Sequence, residues 1–204
     1  MIALRSLLFG AAAVGVGAAL WLAVKKGKRP IPLTPGTRVL LIGDSHAVGL
    51  DHPQAGNMGP ALTGLGMVYS AAPKGGTGAI YWQKTLPGLL ASIRPQVVLI
   101  SQGGNDFRYS DPKLVAAAIS DVVAMTQAAG ARLIWLEPTI MPFADPNDVR
   151  GMWKKTGVET FPTLSLEPLP KVSDQIHLTW DGYKTWVRAI LAYLMGAEVS
   201  RAAA

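Results

Sequence analysis

Short apolar runs alternate with longer amphipathic stretches along most of the chain. Four of these runs are rich in Val, Leu and Ile, and they fall at residues 38–42 (RVLLI), 67–71 (MVYSA), 96–101 (QVVLIS) and 131–136 (ARLIWL). Mostly apolar runs of this length are typical of strands buried on both faces of a parallel sheet. The pattern therefore predicts four buried, parallel β-strands.

The stretches between and after these runs have helical features. Asp111 followed by Pro112 predicts a helix start, with Asp as N-cap and Pro at the first helical position, and Gly130 marks the end of that helix. Near the C-terminus, apolar residues recur at helical spacing at Tyr183, Trp186, Val187, Ile190, Leu191 and Leu194. This stripe predicts a last helix with one face against the core. Residues 138–171 are Pro-rich and irregular, with one short helix expected near residues 147–155.

Alternating strands and helices predict an α/β fold with three layers, in which helices cover both faces of a parallel sheet. In such sheets ligands bind beyond the carboxyl ends of the strands. The residues that directly follow each strand are therefore the first place to look for chemistry.

The N-terminal segment differs from this pattern. Residues 6–24 (SLLFGAAAVGVGAALWLAV) carry no charge, and 19 helical residues span about 28 Å, close to the roughly 30 Å of a bilayer core. We expect a single-pass membrane anchor, followed by a basic collar of Lys25, Lys26, Lys28 and Arg29. A cleaved signal peptide is the alternative, but its apolar region is shorter and ends in small residues, whereas Trp21 and Leu22 precede this collar. The side of the membrane is left open.

These patterns predict four parts of the chain. Residues 1–29 form the anchor with its collar, residues 30–37 a Pro-rich linker, residues 38–196 one folded domain and residues 197–204 a C-terminal tail. The oligomeric state is not indicated.

Charge and cysteine content exclude several kinds of site. The net charge is +6, from 19 basic and 13 acidic residues. Apart from the collar, the basic residues are scattered and form no stripe interleaved with aromatics, so nucleic-acid binding is not expected. The chain has no cysteine, which excludes disulfides, thiolate nucleophiles and Cys-ligated zinc. With no HExxH pattern either, the sequence predicts neither a metal nor a cofactor.

Two loops that follow strands carry candidate polar groups. Ser45, in Gly43-Asp44-Ser45-His46, falls at the start of the next helix, beside free N–H groups and the positive end of the helix dipole. Asn105, in Gly103-Gly104-Asn105-Asp106, has an amide that can stabilise a developing oxyanion. Each has an ordinary alternative: Ser45 or Asp44 can simply cap the helix, and Asn105 can belong to a simple turn.

The Gly-rich segment at residues 74–78 (KGGTG) follows the second strand. Its glycines allow the backbone to approach a ligand and offer N–H groups to it. The segment lacks the GK[ST] ending of a Walker A loop. By itself it is a weak signal.

Of the three histidines, only His177 has a carboxylate, Asp174, three residues upstream in an expected turn. That spacing allows Asp174 to accept from one ring nitrogen and leaves the other free to act as a base. His46 adjoins Ser45 and is expected to point elsewhere, and His52 is expected at the surface.

Taken together, GDSH, the Gly-rich turn, GGND and DQIH resemble the four motif blocks of the SGNH hydrolase superfamily, the GDSL-type esterases and lipases. The resemblance extends from residue 38 to about residue 195. It implies a flavodoxin-like sheet, Ser45 as nucleophile and His177 as general base, oriented by Asp174. It also implies an oxyanion hole made by the N–H groups of Ser45 and Gly75 and the amide of Asn105. The sequence departs from the common pattern at Ser70 and Ala72, which leaves Gly76 as the alternative to Gly75.

The implied activity is hydrolysis of carboxylic esters, on an acetylated glycan or a lipid, through an acyl-enzyme on Ser45. An O-acyltransferase that uses the same site is a second interpretation, and a catalytically silent, membrane-tethered binding protein is a third. Tyr81 and Trp82 follow the Gly-rich turn, where they can line a substrate pocket or pack in the core.

Overall fold

A computed structural model of the protein describes residues 30–109 and 111–198. Its centre is a five-stranded sheet in the order β2-β1-β3-β4-β5, with every neighbouring pair parallel. The strands are β1 (Arg38–Gly43), β2 (Val68–Ala71), β3 (Val97–Ser101), β4 (Arg132–Leu136) and β5 (Glu159–Phe161). This strand order is that of flavodoxin-like folds, as the motif resemblance implied.

Helices cover both faces of the sheet, which confirms the three-layer prediction. They are α1 (Ser45–Asp51), α2 (Met58–Gly64), α3 (Ala79–Ile93), α4 (Pro112–Ala128), α5 (Val149–Lys155) and α6 (Trp180–Leu194), with two 3₁₀ turns at Asp106–Arg108 and Thr163–Leu166. Alternate residues of β1 point to opposite layers, as the pleat requires. Val39 and Leu41 pack with residues of α1, α2 and α6, whereas Leu40 and Ile42 pack with α3, α4 and α5.

The predicted helix signals are confirmed. The side chain of Asp111 caps α4 by accepting from the N–H groups of Lys113 and Leu114 at 3.0 and 3.3 Å. In α6, five of the six predicted stripe residues are buried, and Leu191 is partly buried against the same core. Tyr193 is also buried, although the predicted stripe did not include it.

The interpretation of residues 138–171 as irregular was wrong at one place. Strand β5 adds a fifth member to the sheet, beside β4. Its first residue, Glu159, is buried because Arg132 Nε donates to it at 2.6 Å and the Tyr193 hydroxyl donates to it at 2.8 Å. The expected short helix is present as α5.

The segment that precedes β1 packs on the domain at the edge opposite the carboxyl ends of the strands. Arg132 begins β4, and its Nη1 donates to the carbonyl of Ile31 at 2.7 Å. The N–H of Leu33, a buried residue, donates to the carbonyl of Leu194 at the end of α6, at 2.8 Å. The predicted linker is therefore partly integrated into the domain and does not stand apart as a free spacer.

The predicted anchor at residues 6–24, its collar and most of the predicted tail lie outside the described residues. Between residues 30 and 198, leaving out Ser110, none of the helices is both long and apolar enough to cross a membrane.

Candidate active site

Ser45 lies at the turn between β1 and α1. Gly43 permits this turn, because its φ is +137° and a Cβ there would lie 2.1 Å from the carbonyl oxygen of Ser101. Asp44 caps α1 by accepting the N–H of His46 at 3.0 Å. Ser45 is the first residue of α1, so its side chain stands at the carboxyl edge of the sheet. The alternative that Ser45 itself is the helix cap does not hold, since Asp44 has that position.

Three predicted side chains form one hydrogen-bonded chain. His177 Nε2 lies 2.8 Å from Ser45 Oγ, and His177 Nδ1 lies 2.6 Å from Asp174 Oδ2. The other oxygen of Asp174 accepts the N–H groups of Ile176 and His177 at 2.8 and 2.9 Å. An imidazole that donates from Nδ1 to a carboxylate has Nε2 free to accept the serine proton.

The turn that carries Asp174 and His177 is itself held in place. Gln175 adopts the left-handed region with φ of +58°. The N–H of Val172 donates to the carbonyl of His177, and the N–H of Thr179 donates to the carbonyl of Pro170, both at 2.9 Å. The loop thus delivers His177 to Ser45 just before α6 begins.

Hydrogen bonds stabilise the negative charge of Asp174, although its side chain is exposed. Hydrogen bonds from the His177 ring, then from the backbone N–H groups of His177 and Ile176, lower the pKa of Asp174 to about 2 from a usual 3.8. The side chains of His177 and Asp174 are 40% and 43% exposed. The arrangement is open to solvent, so a bulky substrate can reach it.

The Gly-rich turn approaches Ser45, and Asn105 is bonded to this turn. A Cβ at Gly75 would lie 3.8 Å from the Cβ of Ser45, whereas a Cβ at Gly76 would meet nothing within 4 Å. Gly75 is therefore the glycine that faces Ser45. One N–H of the Asn105 amide donates to the carbonyl of Thr77 at 2.9 Å, and an amide has a second N–H to offer.

A buried polar network, which the sequence reasoning missed, supports this turn. Asp106 accepts the N–H of Ala79 at 2.9 Å and the side-chain amide of Gln102 at 2.8 Å. Gln102 also donates to the carbonyl of Thr77 at 3.0 Å, so it shares that acceptor with Asn105. Burial raises the pKa of Asp106. The network fixes the start of α3, and with it the Gly-rich turn, relative to the loop after β3.

The structure corrects the expectation that Trp82 lines a substrate pocket. Trp82 is only 1% exposed, and its indole N–H donates to Gln102 Oε1 at 3.1 Å. It is a core residue of α3. Tyr81 is half-buried, packs edge-on against Trp82 and has Lys74 Nζ 4.7 Å from its ring centre. Substrate contact by Tyr81 stays a prediction.

His46 lies closer to the site than expected. Its ring centre is 5.7 Å from that of His177, and its Nδ1 is 3.3 Å from the Tyr183 hydroxyl. Burial lowers the pKa of His46 to about 3, so it is neutral at physiological pH. It forms part of the packing beneath His177.

The described residues contain no candidate metal-binding cluster. In the part of the chain that the structure describes, no group of three or more His, Asp or Glu side chains could hold a metal ion.

Comparisons with known proteins agree at the level of the fold. No protein-family model matches the sequence, and a search of curated proteins finds no match. Among solved structures, TesA matches with a TM-score of 0.64 and 24% identity, over 78% of this chain and 98% of TesA. The acetylxylan esterase Axe2 from Geobacillus stearothermophilus matches with a TM-score of 0.65 and 18% identity, over 84% of this chain and 99% of Axe2.

A third match is the psychrotrophic esterase EstA from Pseudoalteromonas sp., solved with monoethylphosphonate as inhibitor. Its TM-score is 0.58 at 22% identity, over 74% of this chain and 92% of EstA. The chain thus has the parallel α/β fold of these three proteins.

Proposed function

We propose that this protein is a serine ester hydrolase of the SGNH type. The observation that carries the proposal is the hydrogen-bonded chain from Ser45 through His177 to Asp174. Nucleophile, base and orienting acid stand in the order and at the distances that acyl transfer requires. The motif resemblance and the esterase fold support the same conclusion.

In the proposed reaction, His177 Nε2 takes the proton of Ser45 Oγ as that oxygen attacks the ester carbonyl. Asp174 keeps Nδ1 protonated and stabilises the imidazolium that forms. His177 then donates the proton to the departing alcohol, which leaves an acyl group on Ser45. Water, deprotonated by His177, attacks the acyl carbon and releases the carboxylic acid.

The oxyanion of the tetrahedral intermediate needs donors that are already in place. We assign this role to the N–H groups of Ser45 and Gly75 and to the free N–H of the Asn105 amide. Gly75 faces Ser45, and Thr77 together with Gln102 holds Asn105 and the turn in position. Ser45 begins α1, so its own N–H is free of helical pairing.

The proposed substrates are esters of an acetylated glycan or a lipid. Two observations favour a large alcohol group. The triad is exposed, and Axe2, which shares the fold, is described as an acetylxylan esterase.

The decisive experiment is hydrolysis of p-nitrophenyl esters, from acetate to palmitate, by the full chain and by Ser45→Ala. Ser120→Ala is a matched control, because Ser120 is an exposed helical serine that bonds only to its own helix at Ala116. We expect turnover by the control and the parent protein and loss of turnover, together with loss of fluorophosphonate labelling, in Ser45→Ala. The acyl-length profile separates acetyl-ester from lipid substrates.

Two other results would change the proposal. If Ser45 reacts with fluorophosphonate but esters turn over only when a sugar acceptor is added, the protein is an O-acyltransferase. If Ser45 does not react at all in the folded protein, the site is catalytically silent.

Membrane attachment through residues 6–24 is a separate proposal. It rests on the length and apolar character of that segment and on the basic collar after it. Fractionation of the full chain and of a chain that begins at residue 30 tests it, since only the full chain should sediment with membranes.

A further inference from the structure

An exposed aromatic pair lies on the side of α1 and α6, close in sequence to the triad residues. Trp180 is 57% exposed, the most among the described Trp, Tyr and Phe residues, and its indole stacks on the ring of His52 with 6.5 Å between ring centres and 23° between planes. Large apolar side chains exposed beside a functional site are commonly contact surfaces for a ligand.

Both members of the pair are connected to the triad through short, ordered segments. Trp180 is the third residue after His177 and opens α6. His52 is the C-cap of α1, which Ser45 begins. Ser45, Val48 and His52 lie at positions i, i+3 and i+7, so they share one face of α1, over about 10 Å. Val48 is 39% exposed, and the face is therefore an apolar surface that extends from the nucleophile to the aromatic pair.

The geometry of the reaction identifies which part of an ester meets this surface. The oxyanion donors proposed above, Gly75 and Asn105, are tied to the start of α3, on one face of the sheet. His177, which must protonate the departing alcohol, comes from the side of α1 and α6, on the other face. The alcohol therefore leaves on the side of Trp180 and His52.

The His52 ring is held in a defined orientation. The N–H of Gln54 donates to His52 Nδ1 at 3.2 Å, and a ring that accepts at Nδ1 carries its proton on Nε2. The pair thus combines two aromatic faces with an oriented N–H donor.

From this arrangement we infer that Trp180, His52 and Val48 form a subsite for a sugar ring on the alcohol side of the ester. The C–H face of a pyranose carries slight positive charge and fits the negative face of an indole. The hydroxyls of the sugar can accept a hydrogen bond from His52 Nε2 at the edge of the pair. Stacked aromatic rings with an N–H donor suit a sugar ring with hydroxyls better than they suit an extended acyl chain. The inference rests on the proposed esterase function and names its substrate class as an O-acylated glycan.

The kinetic test uses the full chain and compares acetate esters of two kinds, with and without a sugar ring. Partially acetylated xylobiose and partially acetylated cellobiose carry the ring with free hydroxyls, and methyl acetate has the same acyl group without a ring. We expect Trp180→Ala to raise KM for the acetylated sugars about 10-fold, the loss of one aromatic stacking contact, with kcat changed less than about 2-fold. Methyl acetate hydrolysis should be unchanged.

Two variants serve as controls. Trp180→Phe keeps an aromatic face and should restore most of the affinity. Met195→Ala removes another exposed apolar side chain at the opposite end of α6 and should leave both substrates unaffected. Equal losses on sugar acetates and methyl acetate in Trp180→Ala would show a structural role and overturn the inference, as would no change on either.

A binding measurement keeps the inference testable if the protein shows no turnover. Saturation-transfer NMR with Ser45→Ala and the same acetylated disaccharides should show transfer to the ring protons, and Ser45→Ala/Trp180→Ala should lose it. Absence of transfer in the single variant overturns the subsite. Failure of the esterase proposal is recognised separately, by the absence of Ser45-dependent turnover and labelling.

Discussion

Asp174 bonds to His177 at two places. Its Oδ1 accepts the backbone N–H of His177 at 2.9 Å, and its Oδ2 bonds to ring Nδ1 at 2.6 Å. One carboxylate therefore fixes both the turn that carries the histidine and the orientation of its ring. The interaction depends on the hydrogen bonds themselves and not on burial, because both side chains are about two-fifths exposed.

Replacing Asp174 by Asn separates these two roles. The amide oxygen can still accept from the backbone, but the carboxylate charge that stabilises an imidazolium is lost and the wrong tautomer of His177 is allowed. We expect kcat on p-nitrophenyl acetate to fall about 10²–10⁴-fold, less than in Ser45→Ala. Asp181→Asn is the control, because Asp181 is exposed and pairs only with Lys184. A wild-type rate in Asp174→Asn would remove Asp174 from the mechanism.

Asn105→Ala removes the proposed side-chain donor of the oxyanion hole. We expect kcat to fall about 10²–10³-fold with little change in KM, since the interaction strengthens only in the transition state. Asn147→Ala is matched to it, because the Asn147 amide also donates to a backbone carbonyl, that of Tyr109. Steady-state kinetics on p-nitrophenyl acetate distinguish the two variants, and equal rates would contradict the assignment.

Alanine substitutions at the two glycines of the turn should have different effects. At Gly75 the new methyl group would meet Ser45 at an ordinary contact distance, so we expect normal stability and a loss of about 10-fold or more in kcat/KM from displacement near the reacting atoms. Gly76 has φ of +75°, so Gly76→Ala should cost about 1–2 kcal/mol in unfolding free energy.

Urea unfolding and ester kinetics on both variants check this expectation. If Gly76→Ala loses activity and Gly75→Ala keeps it, the second backbone donor is Gly76.

Asp44 should make stability depend on pH. Burial raises its pKa to about 7 from a usual 3.8, so between about pH 4 and pH 7 the folded protein binds a proton that the unfolded chain has released. The unfolding free energy contributed by this group therefore falls as pH rises through that window. Asp44→Asn cannot titrate and retains a cap acceptor for α1.

Accordingly, the stability of Asp44→Asn relative to the parent protein should increase from pH 4 to pH 8, by up to about 4 kcal/mol. Urea unfolding of both proteins at the two pH values measures the change. A difference that stays constant with pH would mean that Asp44 is charged in the folded state throughout.

Local sequence patterns were sufficient to predict most of the strands. Strands β1 to β4 begin and end within one residue of the predicted runs, because turn residues bound each run. The expected burial of β2 was wrong, since β2 lies at an edge of the sheet and none of its residues is buried. Strand β5 was missed because it has three residues and begins with Glu159. Its burial depends on Arg132 and Tyr193, which are distant in sequence, so no local pattern reveals it.

Ser45 was predictable because residues that follow the strands of a parallel sheet meet at one edge, and Asp174 and His177 were predictable from their spacing in one turn. The buried hydrogen bonds that support the site were not predictable. Gln102 follows β3 as an ordinary polar residue, and only the folded chain brings it to Thr77 and Asp106. The burial of Trp82 did have a signal, because Trp82, Leu86 and Leu90 recur at i, i+4 and i+8 on α3 and all are buried.

The bond between Arg132 and the carbonyl of Ile31 determines how the domain presents its site. It holds the entering chain at the edge of the sheet where α6 ends. This is about 22 Å from the opposite edge, where α6 begins beside His177. Residues 30–37 therefore join the domain at the end of the sheet farthest from Ser45, which leaves the nucleophile and the turn of His177 free of contact with the entering chain.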